Sequence, residues 1–360
     1  MTNGMGLRRR VAVLAIVPLL LIIGAAIGAW GVLYRAQAPQ PEIALGSGGT
    51  TPSRSEPVPG RPEAPPSWTL YTYRRASDPA RTEMSSLDGK PVAVMTDDAR
   101  TVHLYGPERT FAERRFTRVT VTTDIYVRLA PQAWHQGAER EGWFTAWLPV
   151  ALADRSPDVL AIAMQYTYDT PPSKDASGRQ IGGDAAFGPL SDIDPDGRAE
   201  NSDFYDYLGI PWKFPDMAEV KPSRTHFQSL DCSGFLRMVY GYRMGYPTRG
   251  TNNPGPGLPR QAFAIANIGP GVQLMPNTGR RARGLDRLLP GDMVFFNAGQ
   301  VATTNIEHSG IYLGVDSRGH HRFISSRSQA NGPTMGDLGG DSLLDGTGYW
   351  ASRWRTARRI

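Results

Sequence analysis

Cys232 is the only cysteine among 360 residues, so no intrachain disulfide constrains the fold and export cannot be argued from disulfides. It sits in Leu230-Asp231-Cys232-Ser233-Gly234-Phe235-Leu236 and opens a run through Arg237-Met238-Val239-Tyr240 with apolar residues at helical spacing. Asp231 or Ser233 is a suitable cap for such a helix. A thiol in the first turn lies at the positive end of the helix dipole, which favours the nucleophilic thiolate. Small residues at Ser233 and Gly234 leave room for a substrate. Taken alone, a free cysteine is as readily a small buried hydrophobe.

The downstream chain supplies a partner. Pro290-Gly291-Asp292-Met293-Val294-Phe295-Phe296 reads as a turn entering a buried strand. Glu307-His308-Ser309-Gly310-Ile311-Tyr312-Leu313-Gly314 reads as a second strand with His308 at its start. A histidine on a rigid strand suits the role of general base to a cysteine.

The set Asp231-Cys232-Ser233-Gly234-Phe235, Leu258-Pro259-Arg260, Pro290–Phe296 and His308–Gly314 resembles the NlpC/P60 cysteine peptidases in order and approximate spacing. The ending Tyr349–Trp354 and Ala357–Arg359 is similar to that family's C-terminal strand. The resemblance covers about residues 157–360. It implies an α+β, papain-like catalytic domain that cuts peptide bonds of cell-wall stems without a cofactor, often after γ-D-glutamyl residues. Cys232 is then the nucleophile and His308 its base. The family's third polar residue, which orients the histidine, falls at Ser325, whose hydroxyl has less reach than His, Asn or Gln. Substrate-binding positions are implied at Trp212, Asp231, Ser233 and Arg260. Trp212 stands where the family carries a tyrosine near the nucleophile, and an indole offers only one N–H. These two departures leave a second reading open: a wall-binding or scaffold protein of the same fold with weak catalysis or none.

The rest of the chain sets the location. Arg8, Arg9 and Arg10 precede 24 uncharged residues, Val11 to Tyr34, enough to cross a bilayer. The basic cluster stays cytoplasmic and puts the remainder outside. This predicts a single-pass transmembrane anchor over residues 1–35. A signal peptide cut near Ala36-Gln37-Ala38 is the alternative, and would give a secreted protein. Residues 36–67, rich in Pro, Gly, Ser and Glu, form a linker. Residues 68–150 are predicted as a β-rich accessory domain, with Tyr126, Val127, Trp134, Trp143 and Trp147 as an aromatic core or a glycan platform. Residues 151–360 form the catalytic domain and open with a helix from Pro157 to Tyr166, capped by Ser156.

Asp192-Ile193-Asp194-Pro195-Asp196-Gly197, with Asp203 twelfth, approximates a calcium loop or is simply a solvated acidic loop; no metal is assigned. A net charge of +5 suits an anionic envelope, and no nucleic-acid motif is present. The expected partners are peptidoglycan stem peptides and, through the N-terminal helix, the membrane. Arg280, Arg281 and Arg283 lie in a loop suited to solvent or to stem-peptide carboxylates.

Overall fold

The computed structural model describes residues 67–360 other than 114, 195–196 and 300–302. The expected membrane segment, and the linker except its last residue, lie outside the described residues, among which no helix is long and apolar enough to cross a membrane.

The β-rich stretch forms β1 (Tyr71–Ala76), β2 (Arg81–Ser86), β3 (Pro91–Thr96), β4 (Thr101–Ala112) and β5 (Thr120–Leu129), paired in chain order as an antiparallel meander. Period-2 burial of Val121, Ile125 and Val127 marks β5. By contrast β2 buries only Thr82 and Met84, too polar a face to read from sequence. The residues after β5 turn helical. α1 (Gly142–Ala153) buries Phe144, Leu148 and Ala151, one stripe of a helix. Trp134 is core: its ring meets Phe144 edge-on at 4.8 Å, and its indole N–H donates to Thr82 Oγ1 at 3.2 Å. Trp143, Trp147 and Tyr126 pack against the same cluster, whereas Val127 belongs to the neighbouring main core.

The next helix is shorter than expected and differently capped. α2 (Val159–Met164) starts at Asp158, not Ser156, and the Asp158 carboxylate accepts from Ala161 N–H (3.1 Å). It also accepts from Val127 N–H (2.7 Å) and pairs with Arg109 (2.7 Å), which binds the meander to the helix. A small hairpin follows, β6 (Ser173–Lys174) and β7 (Gln180–Gly182), then α3 (Phe204–Leu208). α4 (Cys232–Leu236) runs straight into a π-helical segment, Arg237–Arg243, and α5 (Ala262–Ile268) comes next. The remaining strands are β8 (Val272–Met275), β9 (Met293–Phe296), β10 (His308–Val315), β11 (His321–Arg327), β12 (Gly332–Thr334) and β13 (Trp354–Arg359), with α6 (Tyr349–Arg353) before β13. Their order in one antiparallel sheet is β12-β11-β10-β9-β13-β8. β9, a continuous apolar run, is buried along its whole length, and α4 packs on β10 and β11. Helices and antiparallel sheets together give an α+β fold. Tyr349 to Arg353 is helical, so only the latter half of the expected C-terminal strand is extended.

The meander and the described residues that follow it, which the sequence divides near residue 150, lie in one compact unit. Val121, Ile125 and Val127 share a core cluster with Cys232, Phe235 and Ile311. Thr101 donates through its N–H and its hydroxyl to the Ile360 carbonyl (2.5 and 2.6 Å). Buried Arg359 donates to Asp292 Oδ1 and Oδ2 (2.8 and 2.7 Å) and, through Nη1, to Thr96 Oγ1 (2.7 Å). Arg359→Met strips Asp292 of its cation while roughly keeping side-chain length. A buried charge left unpaired costs about 3–5 kcal/mol. Chemical denaturation should show a loss of that size in one transition shared by fluorescence and circular dichroism. A loss below about 1 kcal/mol, or a meander that melts separately, would mean that Arg359 does not join the two sheets.

Candidate active site

The position of Cys232 is built by its neighbours. Asp231 caps α4: its Oδ1 accepts from Gly234 N–H (2.7 Å) and from Ser233 Oγ (3.0 Å). Its Oδ2 accepts from Asn201 N–H (3.0 Å) and Arg260 Nη2 (2.7 Å). Arg260 Nη1 donates to Ser233 Oγ (2.8 Å), and its Nε stands 3.5 Å from Asp203 Oδ2. Asp203 accepts from Arg237 Nε (3.0 Å), and Arg237 Nη1 donates to the carbonyls of Arg249, Leu258 and Pro259. Asp231, Ser233 and Arg260, expected to bind substrate, therefore hold one another beneath the thiol. Gly234 is small for a packing reason rather than for substrate access: a Cβ there would lie 2.0 Å from the Ser202 carbonyl oxygen.

Electrostatics at the thiol run against the sequence expectation. Cys232 is buried, and its sulphur donates to the Glu307 carbonyl at 3.9 Å. Burial, then the negative charges of Asp231 and Glu200, push the thiol up to about 12, against hydrogen bonding from Ser309. The helix dipole is outweighed. Asp231 itself stays ionised: burial pushes it up, but Arg260 and the hydrogen bonds from Gly234 and Ser233 hold it below the usual carboxylate range.

His308 starts β10, with its ring stacked on Trp350 at 4.4 Å and 29°. Burial, then the charge of Arg327, push the imidazole down to about 3, with Asp231 opposing. Thiol and imidazole are both uncharged at neutral pH. The Nε2 of His308 is buried with no hydrogen-bond partner.

Ser325 is not on that nitrogen. It is buried, and its hydroxyl accepts from Arg327 Nε at 2.9 Å. Arg327 is itself buried: it donates to the Gly340 carbonyl (2.6 Å) and Ser342 Oγ (2.5 Å), and its guanidinium lies 5.0 Å from the Trp350 ring centroid. Nearby polar side chains are also engaged. Ser326 Oγ donates to the Leu230 carbonyl (2.5 Å), His321 Nδ1 shares a hydrogen bond with Tyr312 Oη (2.8 Å), and His320 pairs with Asp345 (2.9 Å). Trp212 is half-buried, packed edge-on against Phe204 (5.0 Å) and Tyr242 (5.9 Å), in an aromatic cluster rather than on the thiol.

A cleft of about 640 Å³ opens beside His308, lined also by Glu200, Glu307, Arg327, Tyr349 and Trp350. Sequence reasoning missed Glu200, Arg327 and Trp350 as site residues. Arg327 had a signal, two residues after Ser325 on the same strand; Glu200, in a polar loop, had none. Burial, then Asp231, raise the Glu200 carboxyl, with Arg260 opposing. The calcium reading fails at its twelfth position, because the Asp203 carboxylate is committed to Arg237 and to the Phe204 N–H (2.8 Å). Asp196 lies outside the described residues.

Arg260 is the test of this arrangement. Arg260→Ala leaves Asp231 buried without its cation and should destabilise by about 3–5 kcal/mol. Arg260→Lys keeps the charge but loses the two-pronged contact, and should fall between. Equal midpoints in urea for all three proteins would show that the network does not hold α4.

A model of the NlpC/P60 family matches residues 220–359. No curated protein matches the chain. A solved structure from Staphylococcus aureus subsp. aureus Mu50, a protein similar to a lipoprotein of the NLP/P60 family, aligns at 18% identity with a TM-score of 0.24. The alignment covers 61% of this chain and half the length of that one. The matched span, residues 220–359, contains both Cys232 and His308, and over that span the chain is similar to the NlpC/P60 family.

Proposed function

We propose that this chain cleaves amide bonds in the peptide stems of peptidoglycan, with Cys232 as nucleophile and His308 as general base. One observation carries the reading: the Cys232 sulphur lies 3.9 Å from the carbonyl of Glu307, the residue preceding His308, and Glu307 and His308 line a cleft large enough for a peptide. The reaction starts from an uncharged pair. As Sγ bonds to the amide carbon, the thiol proton passes to the imidazole. The tetrahedral intermediate then expels the amine, which takes that proton, and water hydrolyses the thioester. The Cys232 N–H, in the first turn of α4, is free of helical partners and suits the developing oxyanion. The uncharged run after Arg8–Arg10 supports an anchored protein with this domain outside the membrane.

Arg327 favours a second reading. Its charge opposes an imidazolium at His308, and it engages the hydroxyl expected to orient the ring. A protein so arranged binds the stem and turns over slowly or not at all. Incubating the full chain with purified sacculi and weighing the soluble products separates the two. Hydrolysis should release fragments with new amino termini, and Cys232→Ala should release none. Sacculus binding without products from the native chain would select the second reading.

The same assay reads Ser325. Because its hydroxyl is engaged by Arg327, Ser325→Ala should change the rate by less than about fivefold, under 1 kcal/mol of barrier. A hundredfold loss would put Ser325 back on the imidazole.

A further inference from the structure

A second cavity belongs to neither the thiol nor the imidazole. It measures about 970 Å³ and is lined by Arg280, Arg281, Arg283, Arg287, Asp78, Asp286 and Trp354, among others. It shares no lining residue with the cleft beside His308. Four arginines stand against two aspartates, and Arg287 already pairs with Asp78 at 2.5 Å.

The arginines are presented by a fixed turn. Gly279 and Gly284 bound it, both with left-handed backbone (φ +73° and +105°), which glycine adopts without strain. Ala282 donates its N–H to the Trp354 carbonyl (2.9 Å) and packs against the core, so Arg281 and Arg283 on either side of it face outward. Arg281 is anchored by the carbonyls of Gly346 (2.6 Å) and Leu344 (3.0 Å). Arg280 and Arg283 are exposed, and no described residue bonds their guanidinium groups. Unspent planar donor forks held together on a rigid turn suit oxyanions. A phosphate group spreads its acceptor oxygens in three dimensions, whereas the two oxygens of a carboxylate lie in one plane.

We propose that this cavity binds phosphate groups borne on a chain, with Arg280 and Arg283 as the primary contacts. The site would hold the protein to a phosphate-bearing polymer independently of what happens at Cys232. Titration calorimetry of the full chain with linear polyphosphate, inorganic phosphate and polyglutamate tests it. Polyphosphate should bind, and Arg280→Glu with Arg283→Glu should weaken it at least about tenfold, the size expected from losing charge-assisted hydrogen bonds. Neither arginine has a partner to lose among the described residues, so the thermal midpoint should stay unchanged, which separates lost binding from lost folding. Arg74→Glu, a reversal of an exposed arginine on β1, should leave the affinity within about twofold. Cys232→Ala should bind as the native chain does, which keeps this outcome separate from any result on hydrolysis. Equal affinity for polyglutamate, equal affinity for inorganic phosphate, or unchanged affinity in the double variant would each overturn the proposal.

Discussion

Everything near Cys232 rests on a buried series of alternating charges, Asp231, Arg260, Asp203 and Arg237. Asp231 caps the cysteine helix, Asp203 caps α3, and Arg237 gathers three carbonyls from residues 249–259. One network thus fixes the direction of α4, the loop that delivers Arg260 and the segment before α3. Buried ions are costly to desolvate, and each is tolerated here only because its neighbours are present. That makes the array an all-or-none support: a partial version leaves a charge in the core.

The same array sets the chemistry. Asp231 is required as a cap, but its charge lies close enough to the thiol to disfavour a thiolate. Arg327 does the converse to His308. Cys232 and His308 therefore each sit beside a charge that favours the neutral form. The pair begins as thiol and imidazole, and charge separation is deferred to the attack itself. Under the proposed function, such a pair depends on the substrate to exclude water and stabilise the charge that develops.

Much of this was legible in the sequence because it is local. The helix after Cys232, the turn before Met293 and the strand from His308 are each written in a few adjacent residues, and all three form. Partnerships that span the chain were not legible. Arg260 looks like a substrate ligand until its distance to Asp231 is known, and Ser325 looks like the orienting residue until Arg327 takes its hydroxyl. The thiol misled for a physical reason: a helix terminus argues for the thiolate, but burial beside two carboxylates wins. β2 escaped because its buried side chains are Thr82 and Met84, and no pattern of apolar residues announces it.

The uncharged pair is the central claim, and a single cysteine makes it directly measurable. Iodoacetamide labelling of Cys232, followed by mass from about pH 6 to about pH 9, reports the thiolate fraction. With the thiol pushed up to about 12, the rate should be slow at neutrality and rise about tenfold per pH unit without levelling. His308→Ala should leave that profile unchanged. A rate already at its plateau by about pH 7, and lost in His308→Ala, would reveal a preformed thiolate–imidazolium pair and contradict the account.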